Sequence, residues 1–415
     1  MRIRSRLRAA APALLALVIG LPVPAAGGVV EIGPESELCA ALNGVQEGDE
    51  LVLRPGEYPG GCEIRRGGAP GTPLVIRGAD PESRPRILYD GTEGSVLLIR
   101  AGHITIRGLE FGPTQRDVDA VRIFSGSGVT VEDCRFVGLK GIAVAANQTS
   151  LRGLTVRRNE ILRSEASALY FGCHDGASCV VSDILVERNF IGGVRAPNPE
   201  IGYGLEVKLN SSAVIRDNVI VDTKGPGIMV YGSADPTRVS LIERNFVVGS
   251  RQSSGILIAG GPALVRNNIA VQNTEGGIGL QDYRKRGLLQ GVTLVHNTLY
   301  LNDAASILVP EQGVHEVTMV NNAVLAPAGK PTLPPRRPGV RLIGNVDCAY
   351  LGCFTDPRSG DFSPALGSPL LGPAVILEDP WFPQDDYFGL RRRVVPSVGA
   401  IDRAGQGPIG LGIKN

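Results

Sequence analysis

The segment GLEVKLN sets Glu206 and Lys208 two residues apart, and a strand carries such i, i+2 residues on one face. Tyr231, in the matching segment GIMVYG, falls one repeat further on and stacks over Lys208. An amine and a phenol side by side can take a weakly acidic proton from carbon and hand another to a departing oxygen. β-Elimination in a uronate polysaccharide needs those two steps, with a further group to neutralise the carboxylate as charge delocalises onto it. Lys208 is accordingly assigned as the base for the C5 proton and Tyr231 as the acid for O4, a role it can fill without first being charged. A lysine base needs a pKa lowered by nearby cations or partial burial. Lys224, Arg251 or a bound calcium could supply that, whereas Glu206 opposes it unless it binds a metal, so Glu206 is the candidate calcium ligand. Tyr170 and His174 lie on the preceding repeat, and Asn210 follows Lys208. Gln281, Tyr283, Arg284 and Arg286 lie two repeats on from Tyr231. With Lys224 and Arg251 on corresponding turns, these form the expected substrate-binding set. Cations pair carboxylates, and flat rings suit pyranose faces. The plain structural reading is an exposed Glu/Lys pair of the kind strands display routinely.

Positioning these residues requires a regular scaffold. The phrase Val-x-Arg-x-Asn-x-Ile recurs with its asparagine at Asn159, Asn189, Asn218, Asn245, Asn268, Asn297 and Asn322, and the slot extends back to Cys134 and Leu109. A second phrase, Gly-Ile-x-Val, follows in nearly every copy. Short Val- and Ile-rich alternating runs broken by Gly, Asn and Asp are strand and turn chemistry, and no helix period runs through the middle of the chain. The expected fold is all-β: a right-handed parallel β-helix with coils about 4.8 Å apart and the asparagines stacked at a turn. Aligning the second phrase gives a third position that reads Arg122, Ala143, Tyr170, Glu206, Met229, Leu257, Gly279 and Leu308. The fifth reads Phe124, Ala145, Gly172, Lys208, Tyr231, Ala259, Gln281 and Pro310. Most coils place bland residues there, whereas the GLEVKLN coil sets Glu206 and Lys208 together on one face with Tyr231 one rung away.

Residues 1–26 read as a signal peptide, a basic start followed by an apolar run and small residues, so a secreted or periplasmic protein is expected. Residues 27–326 form the β-helix, opened by a short amphipathic helix that caps the first coil. Residues 327–415, Pro-rich at first, form an irregular cap packed along the stack, with Asp385, Asp386 and Arg391 to Arg393 solvated. A net charge of +1 does not mark a nucleic-acid binder, and no later segment is apolar enough to span a bilayer. The expected partner is an acidic polysaccharide bound by a monomer, with no nucleic acid and no membrane. Seven cysteines suit an oxidising compartment. Their spacing suggests the pairs Cys39 with Cys62, Cys173 with Cys179 and Cys348 with Cys353, leaving Cys134 as a small buried thiol. The four scattered histidines lack ligand spacing.

Two stretches resemble known families. Gly48, Asp49, Leu51, Leu53, Gly56 and Tyr58 resemble the opening of extracellular β-helix enzymes that degrade polysaccharides. The stretch GLEVKLNSSAVIRDNVIVDTKGPGIMVYG, followed by LIERNFVVG, resembles the catalytic stretch of the chondroitinase B and alginate lyase family. The resemblance puts that family's proton-abstracting lysine on Lys208. It puts the arginine associated with protonating the leaving oxygen on Tyr231, a departure, and the family's metal-site acidic residues are not all matched. Other readings are a C5-epimerase, which shares the first proton abstraction, a β-helix glycoside hydrolase, which needs paired carboxylates, and a non-catalytic glycan-binding surface. The loop at 195–203 is expected to help choose the sugar.

Overall fold

The computed structural model describes residues 27–198, 200, 202–348, 351–378 and 381–410; the leader expected at 1–26 lies outside the described residues. Each repeat contributes one strand to each of three parallel sheets, of 13, 12 and 10 strands. The chain therefore winds as a parallel β-helix. Its coils extend beyond the nine sequence copies, from Val29–Ile32 at one end to Val340–Ile343 at the other. The stack thus runs past residue 326, ending with Val346–Asp347 in the 12-stranded sheet. Inward positions are Val, Ile, Leu and Phe and form one continuous core along the axis. Phe111 and Phe136 stack within it with ring centroids 4.9 Å apart.

The asparagine slot is the ladder its spacing implied. Asn159 Nδ2 donates to Asn189 Oδ1 at 3.0 Å, and the same bond repeats through Asn218, Asn245, Asn268, Asn297 and Asn322 to Asn345. Each amide also donates to a carbonyl of an earlier coil, as Asn245 does to Ile215 O, so these buried side chains are satisfied. Cys134 occupies the slot with its amide bonded to Asn159 Oδ1 at 3.0 Å, and burial pushes its thiol up to about 12. It is a packing residue.

Helix Leu38–Gly44 covers the open end of the stack with Leu38 and Leu42. The three disulfides join the expected pairs: Cys39 to Cys62, Cys173 to Cys179 and Cys348 to Cys353. No described helix is long and apolar enough to cross a membrane. The segment after residue 350 packs on the 12-stranded sheet through Phe354, Phe362 and Leu370, which meet Phe246 and Tyr300. Asp386 and Arg392 are buried there, not solvated. Asp386 Oδ1 accepts from the amides of Phe388 and Leu390, and Arg392 Nη2 donates to Asn267 Oδ1 at 2.7 Å. Arg392 ties the cap to the stack and Asp386 braces a turn within the cap, so both charges are drawn inward.

Candidate active site

The 10-stranded sheet presents one outward face that changes character halfway along. Register pairs Arg122 with Ala145, Ala145 with Tyr170, Tyr170 with Glu206, and Glu206 with Met229. The GIAV copy is therefore offset by two from the sequence alignment: Ala145, not Ala143, lies beside Tyr170. The next outward column is fixed by backbone bonds from Lys208 N to Phe171 O and from Tyr231 N to Val207 O. These place Tyr231 one coil above Lys208. Gly172 lies one coil below at φ +93°, and a Cβ there would approach Lys208 Cβ to 3.0 Å and Ser211 Oγ to 2.4 Å. Glycine is the residue that lets Lys208 settle onto the sheet.

These side chains form the floor of a cleft of about 680 Å³. Lys208 Nζ lies 2.5 Å from Glu206 Oε2 and donates to Tyr231 Oη at 3.3 Å. It also sits 4.5 Å from the centre of the Tyr170 ring and 4.4 Å from that of Tyr231, with Tyr203 at 5.8 Å. The other carboxylate oxygen of Glu206 accepts from Ser167 Oγ at 2.8 Å. Lys208 is 4% exposed and Glu206 1%, so the ion pair is held almost out of water. Burial raises the Glu206 carboxyl above its usual range, and the adjacent Lys208 only partly offsets this. Burial also raises the Tyr231 and Tyr170 phenols, with the Glu206 charge adding to both, so the two hydroxyls keep their protons at neutral pH.

The wall on the far side of Tyr231 comes from the turn at Tyr283–Lys285. The Tyr283 ring meets Tyr231 edge-on with centroids 4.8 Å apart, and Arg284 and Arg286 lie over Tyr283 at 5.2 and 5.6 Å. Arg284 Nη2 reaches His174 Nε2 at 3.3 Å, joining this turn to the loop closed by Cys173 and Cys179. Burial and the cations Lys208, Arg284 and Arg286 lower the His174 pKa, so the imidazole stays neutral at pH 7.

Of the residues singled out by sequence, Tyr170, His174, Glu206, Lys208, Tyr231, Gln281 and Tyr283 line this cleft, and Arg284 and Arg286 stand behind Tyr283. Three lie elsewhere. Arg251 is ion-paired with Asp222 on an exposed turn, because the charge one coil below captures it. Asn210 bonds to Gly176 O and Ser233 Oγ, fastening neighbouring turns. Lys224 is buried and spends its ammonium on the loop at 195–203. Neither Lys224 nor Arg251 lines the cleft with Lys208. Glu206 does not suit calcium, which takes six to eight oxygen ligands. One of its oxygens faces an ammonium and the other a hydroxyl, and no group of three acidic, His or Cys side chains gathers among the described residues. Sequence reasoning did not single out Ser167, Tyr203, Gln252 and Ser253, which also line the cleft. Tyr203 ends the loop read as sugar-selecting, which was its one signal.

A family model described as a right handed beta helix region matches residues 198–331. The chain is a right-handed β-helix. No curated protein sequence matches it significantly. Among solved structures it is similar to pectate lyase Pel9A, at 15% identity over 91% of this chain and 96% of that one, with a TM-score of 0.51. It is similar to a mutant of the PL6 family alginate lyase AlyGC, at 14% identity over 86% of this chain and a TM-score of 0.53; the match spans 60% of that longer chain. XylC, solved with xylose, is 9% identical over 90% of this chain and 98% of its own, with a TM-score of 0.62. At these identities the likeness is one of fold.

Proposed function

We propose that the protein is a polysaccharide lyase that cleaves a uronate-containing chain by β-elimination. The observation that carries this reading is the 3.3 Å contact between Lys208 Nζ and Tyr231 Oη on the floor of an open cleft. The neutral Lys208 amine takes the C5 proton, the C4–C5 double bond forms as the C4–O4 bond breaks, and Tyr231 gives its proton to O4. Transfer of the abstracted proton from Lys208 to Tyr231 across their contact then resets both groups. Glu206, opposed to this role in the sequence reading, assists it here. The step requires the proton of the buried pair to rest on Glu206, whose uncharged carboxyl burial favours, with Lys208 then the amine. Arg284 and Arg286 stand at the rim where a substrate carboxylate would need a counter-charge, and Tyr170, Tyr203 and Tyr283 offer ring faces to sugars.

The fold likeness to a pectate lyase and an alginate lyase supports an acidic polysaccharide as the substrate class. In this proposal the helix that runs to Val346–Asp347 is catalytic, the segment after residue 350 is the cap, and the disulfides together with the basic-apolar leader suit export. Hydrolysis fits the cleft poorly, because it needs two available carboxylates and both Glu206 oxygens are engaged.

The test is ultraviolet absorbance of the mature protein with a panel of uronate polysaccharides, beside Lys208→Ala. A rise from a conjugated double bond, lost in the variant, is expected. No absorbance change but solvent deuterium entering C5 would identify an epimerase instead.

A further inference from the structure

The wall opposite Tyr283 is built by an excursion found at one coil. Ten residues (195–204) separate strand Phe190–Val194 from Leu205–Val207, whereas four (224–227) make the equivalent turn between Val219–Thr223 and Ile228–Val230. The excursion carries Ala196, Glu200 and Tyr203 to the cleft. Where it returns, Gly202 passes so close that a Cβ would approach Val194 Cγ1 to 2.9 Å and Ala196 Cβ to 3.1 Å. No described ion pair crosses this loop to the stack except through Arg195, whose exposed guanidinium meets Asp222 at 2.5 Å. What lies inside it is Lys224, 8% exposed. Its Nζ is 3.1 Å from Ala196 O, 3.3 Å from Pro197 O, 2.7 Å from Asn198 Oδ1 and 2.5 Å from Glu200 O. Four oxygens converge on one ammonium, with no carboxylate among them.

A loop that turns its carbonyls inward must supply them with donors or a cation, since unpaired buried carbonyls are costly. Here the cation is a side chain of the next coil. Lys224 is fixed at its own backbone, N to Val194 O at 2.9 Å, and the following Gly225 N bonds to Gly202 O at 2.7 Å, so both feet of the loop are tied to the same turn. Tyr203 leaves from that point, its carbonyl accepting from Ala168 N at 2.9 Å and its ring facing Lys208.

We infer that Lys224 is a positioning residue: its ammonium, caged by oxygens of Ala196, Pro197, Asn198 and Glu200, holds the wall that carries Tyr203 in the shape that binds substrate. This rests on the lyase reading for the identity of the substrate, but not for the cage. Removing the side chain beyond Cβ leaves a cation-sized hollow lined by acceptors, into which a small alkylammonium fits. Filling most of it with the uncharged chain of methionine does not satisfy the oxygens.

The experiment compares wild type, Lys224→Ala and Lys224→Met, each shown to be folded by circular dichroism, using hydrogen exchange of the backbone amides in 196–203. Exchange is expected to rise at least tenfold in both variants, to return toward wild type in Lys224→Ala on adding millimolar ethylammonium chloride, and to stay high in Lys224→Met. On a cleaved uronate chain, Lys224→Ala should raise KM at least tenfold with kcat changed less than threefold, since Lys208 and Tyr231 stand on the sheet. Ethylammonium should restore KM, which a general loss of stability would not permit. Unchanged exchange in Lys224→Ala, or raised exchange with an unchanged KM, would overturn the inference. If the wild type cleaves none of the chains, the lyase reading fails while the exchange comparison still decides whether Lys224 holds the wall.

Discussion

Among the described residues two ion pairs are buried, and they are finished differently. Under the C-terminal cap, Arg392 and Asp402 lie 3.7 Å apart, and the guanidinium also reaches Asn267 Oδ1, Ser397 O, Gly399 O and Ala400 O at 2.7 to 3.4 Å. Asp402 in turn accepts from Ser397 N and Arg393. At the cleft, Lys208 has one carboxylate, one phenol oxygen and the faces of tyrosine rings, which are weak acceptors. A buried charge with many partners fastens structure, because removing it strands several of them at once, and Arg392 has these although its Nε has none. One with few partners beside a cleft has directions left over for a substrate. Water can also enter when it is removed, so function and stability should part company at the two sites.

Lys208→Ala gives the largest expected effect on turnover, a loss of at least about 10³-fold in kcat/KM. Its thermal unfolding should stay close to wild type, because Glu206 keeps its Ser167 bond and can take up a proton. Inactivity accompanied by a collapse in Tm would erase the contrast. Arg392→Met should do the reverse, costing about 3–5 kcal/mol of stability in denaturant titrations while leaving kcat/KM of the folded protein within a few-fold. Tyr231→Phe removes the acid but keeps the ring, and about a 10²-fold fall in kcat is expected with little change in KM. A larger effect on KM than on kcat would make Tyr231 a binding residue.

The smallest effect separates the regions by pH. His296, buried beneath the cap between Gly399 O and Asn321, has a pKa held well below its usual value by burial and by Arg392. The unfolded chain therefore binds a proton near pH 6.5 that the folded chain refuses. Stability is fully present above that pH and declines as pH falls below it, by up to about 1.4 kcal/mol per pH unit. Urea midpoints at pH 7 and pH 5 should differ in the wild type and differ less in His296→Gln. An equal difference in both would place the acid sensitivity elsewhere.

What could be read from sequence followed the period of the coil. The asparagine slot, the inward apolar residues and the outward trio Glu206, Lys208 and Tyr231 all lie on strands or at one fixed turn, where spacing determines direction. The turns carried no such rule. Lys224 and Arg251 occupy comparable places, yet one bends into the loop below and the other meets Asp222 on the surface. The GIAV copy slipped by two because its phrase matches its neighbours at either setting, and only the backbone pairing of Ala145 with Tyr170 distinguishes them. The cap lacks a period altogether, so Asp386 and Arg392 read as solvated although they are buried. Tyr203 reaches the cleft from an excursion whose path no strand rule describes.

The stacked asparagines also have a direction. Every rung from Asn159 to Asn322 donates toward the C-terminus and accepts from the rung before, so the amides are aligned in one sense along the axis. Hydrogen bonds in such a chain polarise one another, which makes each rung stronger for the presence of the rest. A missing rung near the middle, at Asn245 for instance, therefore weakens bonds on both sides of itself. The rail transmits that loss lengthwise, and a stack built only from nearest-neighbour contacts acquires through it a longer range of cooperation.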